Sequence, residues 1–490
     1  MPVCNARRRK HSDSAGVRRM NALPPPACDQ ITMTISRFLL SMEAAMRFAI
    51  RAKSLITLAQ EAPARGLEAL EAPVTRIRDG VVTVNGLTIE TVEPYANFRQ
   101  RCRTQGKIPV VDVGDKCLAP GLINSHCHLE LCHIAGQSTR GLGFVPWLRS
   151  IVSLVATPPG PEQLQAALRK AAKQLNESYT AHVGDVGSRA PLLVSQALAQ
   201  SALPPESVFS GWSLSHERAS GSSLEITMLP HPSVTATHFL EVLGFTRPIQ
   251  VQPASENEND IKVPPELDAD GYTPPVAATL SQDRRAACAL SGHALYSTGP
   301  AALKAAHSWC LKNNKPFSLH LAEFPEETEL LQHGSGALYD YIHNVLLPAG
   351  WQAPGRRPVP LARDLGLLGP EALAIHCTQC EPEDLDILAS TKTNCCLCPR
   401  SNAYIGTGEA PACEMAKAGI LLCLGTDGLS SNEDVSIVRE MDEAGKLWGF
   451  SRAALLRMVT VNAAHALGLS SRLGSLGPGK SAFFSVFSEI

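Results

Sequence analysis

The sequence predicts an α/β chain built on a (β/α)8 (TIM) barrel with a small β-domain beside it. Three observations carry that expectation. Apolar strand-like runs alternate with helix-like patterns over about 350 residues, as a parallel barrel requires. Eight such runs can be counted. Histidines and an aspartate fall where several of them end, and that end of the strands is where a barrel keeps its chemistry.

The elements follow in chain order. Residues 1–45 carry Arg7-Arg8-Arg9-Lys10, Arg18-Arg19 and Pro24-Pro25-Pro26 with no apolar segment behind the basic run. That pattern argues against a secretory signal and reads as an unstructured extension, with folded sequence starting near Met46. Short β-rich pieces follow at 47–56, 81–89 and 110–113, with Asn85-Gly86 as a turn. They define a β-domain over 46–116, completed by a late strand near 482–487 within 470–490. The barrel then occupies 117–469. Its expected strands are 118–128, 181–186, 237–244, 289–296, 317–321, 372–377, 393–398 and 421–426. Between them the clearest helices are 161–176, with Leu164, Leu168 and Leu175 on one face, and 301–313. The polar stretch 253–279, broken by Pro264, Pro265, Pro274 and Pro275, reads as a surface insertion.

Composition excludes several classes. The 490 residues carry a formal net charge of −2, which gives no footprint for nucleic acid or an anionic membrane surface. No run of eighteen apolar residues appears, so no membrane-spanning helix is expected. Fifteen cysteines suit a disulfide framework only in small secreted chains. Here many sit inside apolar runs (Cys395, Cys396, Cys423) and read as reduced, buried thiols of a cytoplasmic protein.

His126 and His128 end the first barrel strand in Asn124-Ser125-His126-Cys127-His128. Side chains two apart on a strand share a face, so both imidazoles can reach one ion. His320, His376 and Asp427 end later runs in the same way. His126, His128, His320 and Asp427 offer three imidazoles and one carboxylate to a divalent metal, with zinc favoured by the donor types and iron or manganese as alternatives. Such a metal lowers the pKa of a bound water to about 7. Glu323, three residues past His320, is placed to shuttle the proton, His376 to orient the water, and Asp427 to share in accepting the proton.

At these motifs the chain resembles the amidohydrolase superfamily, in its branch of adenosine- and cytosine-deaminase-like and chlorohydrolase-like enzymes. The resemblance rests on Pro120–His128, His320-Leu321-Ala322-Glu323, His376 and Gly425–Asn432, which occur in the family's order. It implies a composite β-sandwich beside the barrel and one divalent metal held by His126, His128, His320 and Asp427. It also makes Glu323 the proton shuttle and His376 the holder of the hydrolytic water. The fourth-strand segment Ser291–Ser297 lacks the lysine of binuclear relatives, which favours a mononuclear site. The same segment resembles an element whose histidine touches the substrate heterocycle, and that makes His293 the corresponding residue. Ser431 is expected to orient substrate. Arg140, Trp147 and the run Cys398–Asn402 are expected to line the pocket. Glu130 reads either as a rim residue or as an acceptor for a ribose hydroxyl. The chain ends soon after the turn at 474–480, so the sandwich is expected to be reduced.

The implied activity is hydrolytic deamination of a small aminated heterocycle, first of all an adenine nucleoside. The His-Cys-His-Leu-Glu-Leu form of the first motif resembles that of 6-aminodeoxyfutalosine deaminases of menaquinone synthesis, which makes aminodeoxyfutalosine the implied substrate. S-adenosylhomocysteine, methylthioadenosine or guanine deamination, chlorohydrolase chemistry and cyclic-amide hydrolysis use the same residues. A non-catalytic scaffold on this fold is the rival from another class, and it is disfavoured because the full ligand set is present. A homodimer is consistent with the family.

Overall fold

The computed structural model describes residues 47–488 apart from 60, 188–189, 201–212, 215–232 and 246–287. The expected extension 1–45 and the insertion 253–279 lie outside the described residues. Thirteen strands besides two short pieces make two sheets. In chain order they are β1 (Arg47–Ile56), β2 (Arg76–Asn85), β3 (Thr88–Pro94), β4 (Val110–Asp112), β5 (Cys117–Pro120), β6 (Leu122–Cys127), β7 (Thr180–Gly187) and β8 (Ser213–Leu214). They continue with β9 (Thr235–Val242), β10 (Cys288–Ala294), β11 (Phe317–Leu321), β12 (Ala372–His376), β13 (Asn394–Leu397), β14 (Leu421–Leu424) and β15 (Phe484–Phe487).

Eight parallel strands form the barrel in the order β14-β13-β12-β11-β10-β9-β7-β6. Its core comes from alternate residues of successive strands, among them Ile123, Phe239, Ala289, Ile375, Cys396 and Cys423. The opposite faces bury Leu240, Leu290, Leu319, Leu321 and Leu422 in the layer that includes helix residues Leu303, Ala306 and Cys310. Helix Pro161–Glu177 buries Leu168, Ala171, Ala172 and Leu175, the three-to-four spacing of one helical face. Its Leu164 is partly buried against the same cluster.

The sheet closes where β14 returns to β6, through residues just past β14 that bond to residues within β6. Thr426 and Asp427 both donate backbone N–H groups to the His126 carbonyl at 3.1 Å. Asn124 Nδ2 donates to Thr426 Oγ1 at 2.7 Å, and Thr426 N–H donates back to Asn124 Oδ1 at 3.1 Å. A Cβ on Gly425 would lie 2.8 Å from His126 Cβ and 2.9 Å from its backbone nitrogen, so this approach demands glycine.

Two expectations need correction. The single strand expected at 118–128 breaks at Gly121. Its first half, β5, belongs to the second sheet, ordered β15-β5-β1-β2-β3, where β15 pairs antiparallel with β5. Gly121 turns the chain between sheets at a point where a Cβ would strike the Phe483 ring at 2.6 Å and Ala181 at 2.8 Å. The turn expected at Asn85-Gly86 is present (Gly86 φ +60°), but the piece expected at 81–89 extends on both sides into two strands, β2 paired with β3 from Asn85–Thr88 to Gly80–Pro94. One face of this sheet buries Phe48, Ile50, Val82 and Val84, and the other packs Ala49 and Val81 against Phe98.

Among the described residues no helix is long and apolar enough to cross a membrane, and the cysteines are free thiols. Thr426→Val keeps the shape of the seam but leaves the Asn124 amide without its acceptor. It is expected to cost about 1–3 kcal/mol of unfolding free energy, read from the urea midpoint; an unchanged midpoint would show that the seam bond is dispensable.

Candidate active site

The residues at the C-terminal ends of strands one, five, six and eight of the barrel converge on one point. His128 Nε2 lies 3.3 Å from His320 Nε2 and 3.5 Å from Asp427 Oδ1, and His126 Nε2 is 3.4 Å from the same oxygen. His376 Nε2 lies 3.6 Å from Glu323 Oε1. Local backbone geometry produces this. Ala322, His376 and Asp427 all have positive φ (51°, 70° and 55°), so the chain turns sharply as each strand ends. Left-handed backbone at non-glycine residues is uncommon and is held by its surroundings. Gln379 N–H donates to the Ala322 carbonyl at 2.8 Å, and Glu323 N–H donates to Glu327 Oε2 at 2.9 Å.

The cluster fits a divalent cation. His126 is fully buried, and among the described residues neither of its ring nitrogens has a hydrogen-bond partner. Burial pulls its imidazole down to about 4 against the pull of Asp427, which leaves a neutral ring with an unused lone pair. His320 is held well below its ordinary value by burial and by the neighbouring imidazoles. Its Nδ1 donates to the His293 carbonyl at 2.8 Å, which fixes the tautomer and turns the Nε2 lone pair toward the cluster. Burial works to raise the Asp427 carboxyl, but its contact with His126 and the charges of His128, His126 and His376 hold it well below the usual range. Three imidazoles and one carboxylate form a donor set suited to zinc. His126, His128 and His320 present nitrogens close enough for one ion, and His126, His376 and Asp427 form an overlapping group.

Asp427 Oδ2 accepts hydrogen bonds from Ser401 Oγ at 2.7 Å and Ser431 Oγ at 2.6 Å. Ser431, expected at the substrate, is therefore committed to the carboxylate, and Ser401 was expected only as pocket lining. Asn402 Oδ1 is 2.9 Å from His376 Nδ1, which leaves His376 Nε2 to face Glu323. Glu323 is buried, and its carboxyl is pushed well above the usual range by burial and by the charges of Asp427 and Glu327. Glu327 is pushed up to about 8 by burial, against the backbone N–H groups of Glu323 and Ala322.

The remaining expected residues sit further out. His293 Nδ1 is 2.5 Å from Ser297 Oγ, and its ring centroid is 5.2 Å from that of His320. Trp147 Nε1 donates to the Ser430 carbonyl at 3.0 Å. Arg140 is exposed, 2.8 Å from Glu433 Oε1 and stacked over the Tyr404 ring. Glu130 lies in the 3-10 turn Leu129–Ile134, its carboxylate packed beside Gly187.

Sequence reasoning missed a brace behind His128. Asp185 Oδ1 accepts from Leu129 N–H at 3.0 Å, Asp185 Oδ2 is 3.1 Å from His238 Nδ1, and His238 Nε2 is 2.7 Å from Ser195 Oγ. The order matches a nucleophilic triad in distance. However, Ser195 lies inside helix Pro191–Gln200, where its own backbone N–H is spent on the helical ladder and is not free to stabilise an oxyanion beside the hydroxyl. The group steadies the end of strand one instead. Only the cross-strand register brings these residues together, so no local motif announced them.

The Amidohydrolase family profile matches residues 117–489, and the chain belongs to that family. It is 33% identical over 198 residues to a 5-methylthioadenosine/S-adenosylhomocysteine deaminase of Teredinibacter turnerae, covering 39% of this chain and 40% of that protein. A namesake from Syntrophus aciditrophicus matches at 25% identity over 424 residues, 85% of this chain and 80% of the relative. The chain thus spans less than half the length of the first relative and most of the second. Aminofutalosine deaminase of Helicobacter pylori shares the fold, with a TM-score of 0.64 at 18% identity over 90% of this chain and 92% of that one.

Removing the Ser401 hydroxyl should loosen Asp427 without touching the imidazoles. Ser401→Ala is expected to weaken zinc affinity about 10- to 100-fold, measured by competition with a chromogenic chelator, and equal affinity would remove Ser401 from the account.

Proposed function

We propose that this chain is a metal-dependent aminohydrolase that replaces the amino group of an adenine nucleoside by oxygen and releases ammonia. The observation that carries the reading is the Glu323–His376 pair, buried and directed at the same point as the metal-fitting donor set. The names of the curated relatives support 5-methylthioadenosine and S-adenosylhomocysteine as substrates. The His126–Leu131 motif supports 6-aminodeoxyfutalosine as a second reading.

His126, His128, His320 and Asp427 would hold a divalent ion, zinc by the donor types, which would supply Lewis-acid activation of a water at neutral pH. His376, with Nδ1 fixed on Asn402, orients that water through Nε2. Glu323 takes a proton from the water and delivers it to the ring nitrogen next to the attacked carbon. The water oxygen adds to that carbon, Glu323 and Asp427 share in taking the remaining proton from the added hydroxyl, and Glu323 passes it to the departing amine as the carbon–nitrogen bond breaks and ammonia leaves. His293 steadies the heterocycle, and burial of Glu323 keeps bulk water from short-circuiting the transfer.

The test is ammonia release by zinc-loaded protein from methylthioadenosine, S-adenosylhomocysteine, aminodeoxyfutalosine, adenosine, guanine and cytosine. Release from an adenine nucleoside is expected, and Glu323→Gln should lower kcat about 10²- to 10⁴-fold. Dialysis against chelator should abolish turnover and added zinc restore it. Silence on the whole panel with metal bound would discard the aminohydrolase reading in favour of dechlorination or cyclic-amide hydrolysis.

A further inference from the structure

Glu241 on β9 belongs to none of the motifs used above. Residues two apart on a strand share a face, and Glu241 shares its face with Phe239, which lies in the barrel core with Ala289. On β11 His320 is opposite in face to Leu319 and Leu321, which belong to the outer layer, and on β10 His293 sits in the register shift between Gly292 and Ala294. Glu241, His293 and His320 thus come from the ends of strands three, four and five and meet at one place. One carboxylate oxygen of Glu241 and one nitrogen of each histidine lie within 4.8 Å of one another.

These three are not a second cation site. His320 spends Nδ1 on the His293 carbonyl and presents Nε2 to the principal cluster. His293 spends Nδ1 on Ser297. Two donors, Glu241 and the remaining His293 nitrogen, are too few to enclose an ion. Yet Glu241 Oε1 is sealed from solvent and, among the described residues, has no hydrogen-bond partner. A buried acceptor left unmatched is costly, and this one is in the barrel mouth beside the histidine expected to touch substrate.

We infer that Glu241 is a substrate-binding residue that accepts a hydrogen bond from an N–H or O–H donor on the nucleoside, so that the wall of strands three and four selects donor-bearing substrates. This rests on the aminohydrolase reading. The donor is either the amino group on the purine or a sugar hydroxyl, and both are the same chemistry to a carboxylate.

The experiment compares wild type, Glu241→Gln and Glu241→Leu, zinc-loaded and matched in metal content and circular dichroism. Ammonia release is measured with adenosine, 5-methylthioadenosine and 2′,3′-dideoxyadenosine, and binding of purine riboside, which has no amino group to lose, is measured by calorimetry. Glu241→Leu is expected to lower kcat/KM about ten- to a hundredfold, mainly through KM, with Glu241→Gln intermediate. If the donor is a 2′- or 3′-hydroxyl, dideoxyadenosine is poor for wild type and indifferent to the substitutions; if it is the 5′-hydroxyl, 5-methylthioadenosine behaves so instead; in both cases purine riboside binding weakens with the substitutions. If it is the purine amine, all three substrates lose alike and purine riboside binding does not change. Values of kcat/KM within twofold of wild type on every substrate would overturn the role of Glu241 and leave the aminohydrolase reading intact. A wild type that neither releases ammonia nor binds purine riboside would overturn both.

Discussion

Everything at the mouth of this barrel depends on how strand eight meets strand one. The eight parallel strands do not complete an ordinary ladder at that seam. Instead the His126 carbonyl takes two backbone N–H groups, from Thr426 and Asp427, and the Asn124 amide clamps Thr426 from both sides. The residue whose carbonyl is bonded is itself a proposed metal ligand, and one of the donors is another. The hydrogen bonds that close the barrel therefore set the separation of His126 and Asp427 directly. Gly425 is the condition for that closeness, since even a methyl group there would collide with His126.

A second constraint runs through the middle of the rim. The backbone of His293 orients the ring of His320, while its own ring is fixed through Nδ1 on Ser297. A single residue thus links the metal-facing geometry of strand five to the pocket wall of strand four. The left-handed turns at Ala322, His376 and Asp427 redirect the chain where strands five, six and eight end. His376 follows Ile375, which is packed in the barrel core, so in a continuous strand its ring would point outward. The turn brings it back to Glu323. Backbone strain of this kind is tolerated where neighbouring bonds fix it, as Gln379 does for Ala322.

The eight barrel strands were legible because each is a short apolar run bounded by turns, and the proposed ligands because each lies within a few residues of such a run's end. Gly121 was harder to read. Its neighbours are apolar on both sides, and only the position of Phe483 and Ala181 explains why the run changes sheets there. Glu241 was invisible for a related reason. In Thr-His-Phe-Leu-Glu-Val either face of the strand contains a polar residue, and which face looks inward is settled by packing. The Asp185–His238–Ser195 brace and the bond from Ser401 to Asp427 join residues tens of positions apart, and no spacing rule connects them. Ser431 illustrates the opposite difficulty: its place in a motif suggested substrate, whereas its hydroxyl is spent on Asp427.

The claim on which the rest stands is that the seam and rim build one cation site. Anomalous diffraction at the zinc edge from crystals of zinc-loaded protein tests it most directly. One strong peak among His126, His128, His320 and Asp427, with none beside Glu241, is the predicted result. No peak at that point, or a second peak between Glu241 and His293, would contradict the account.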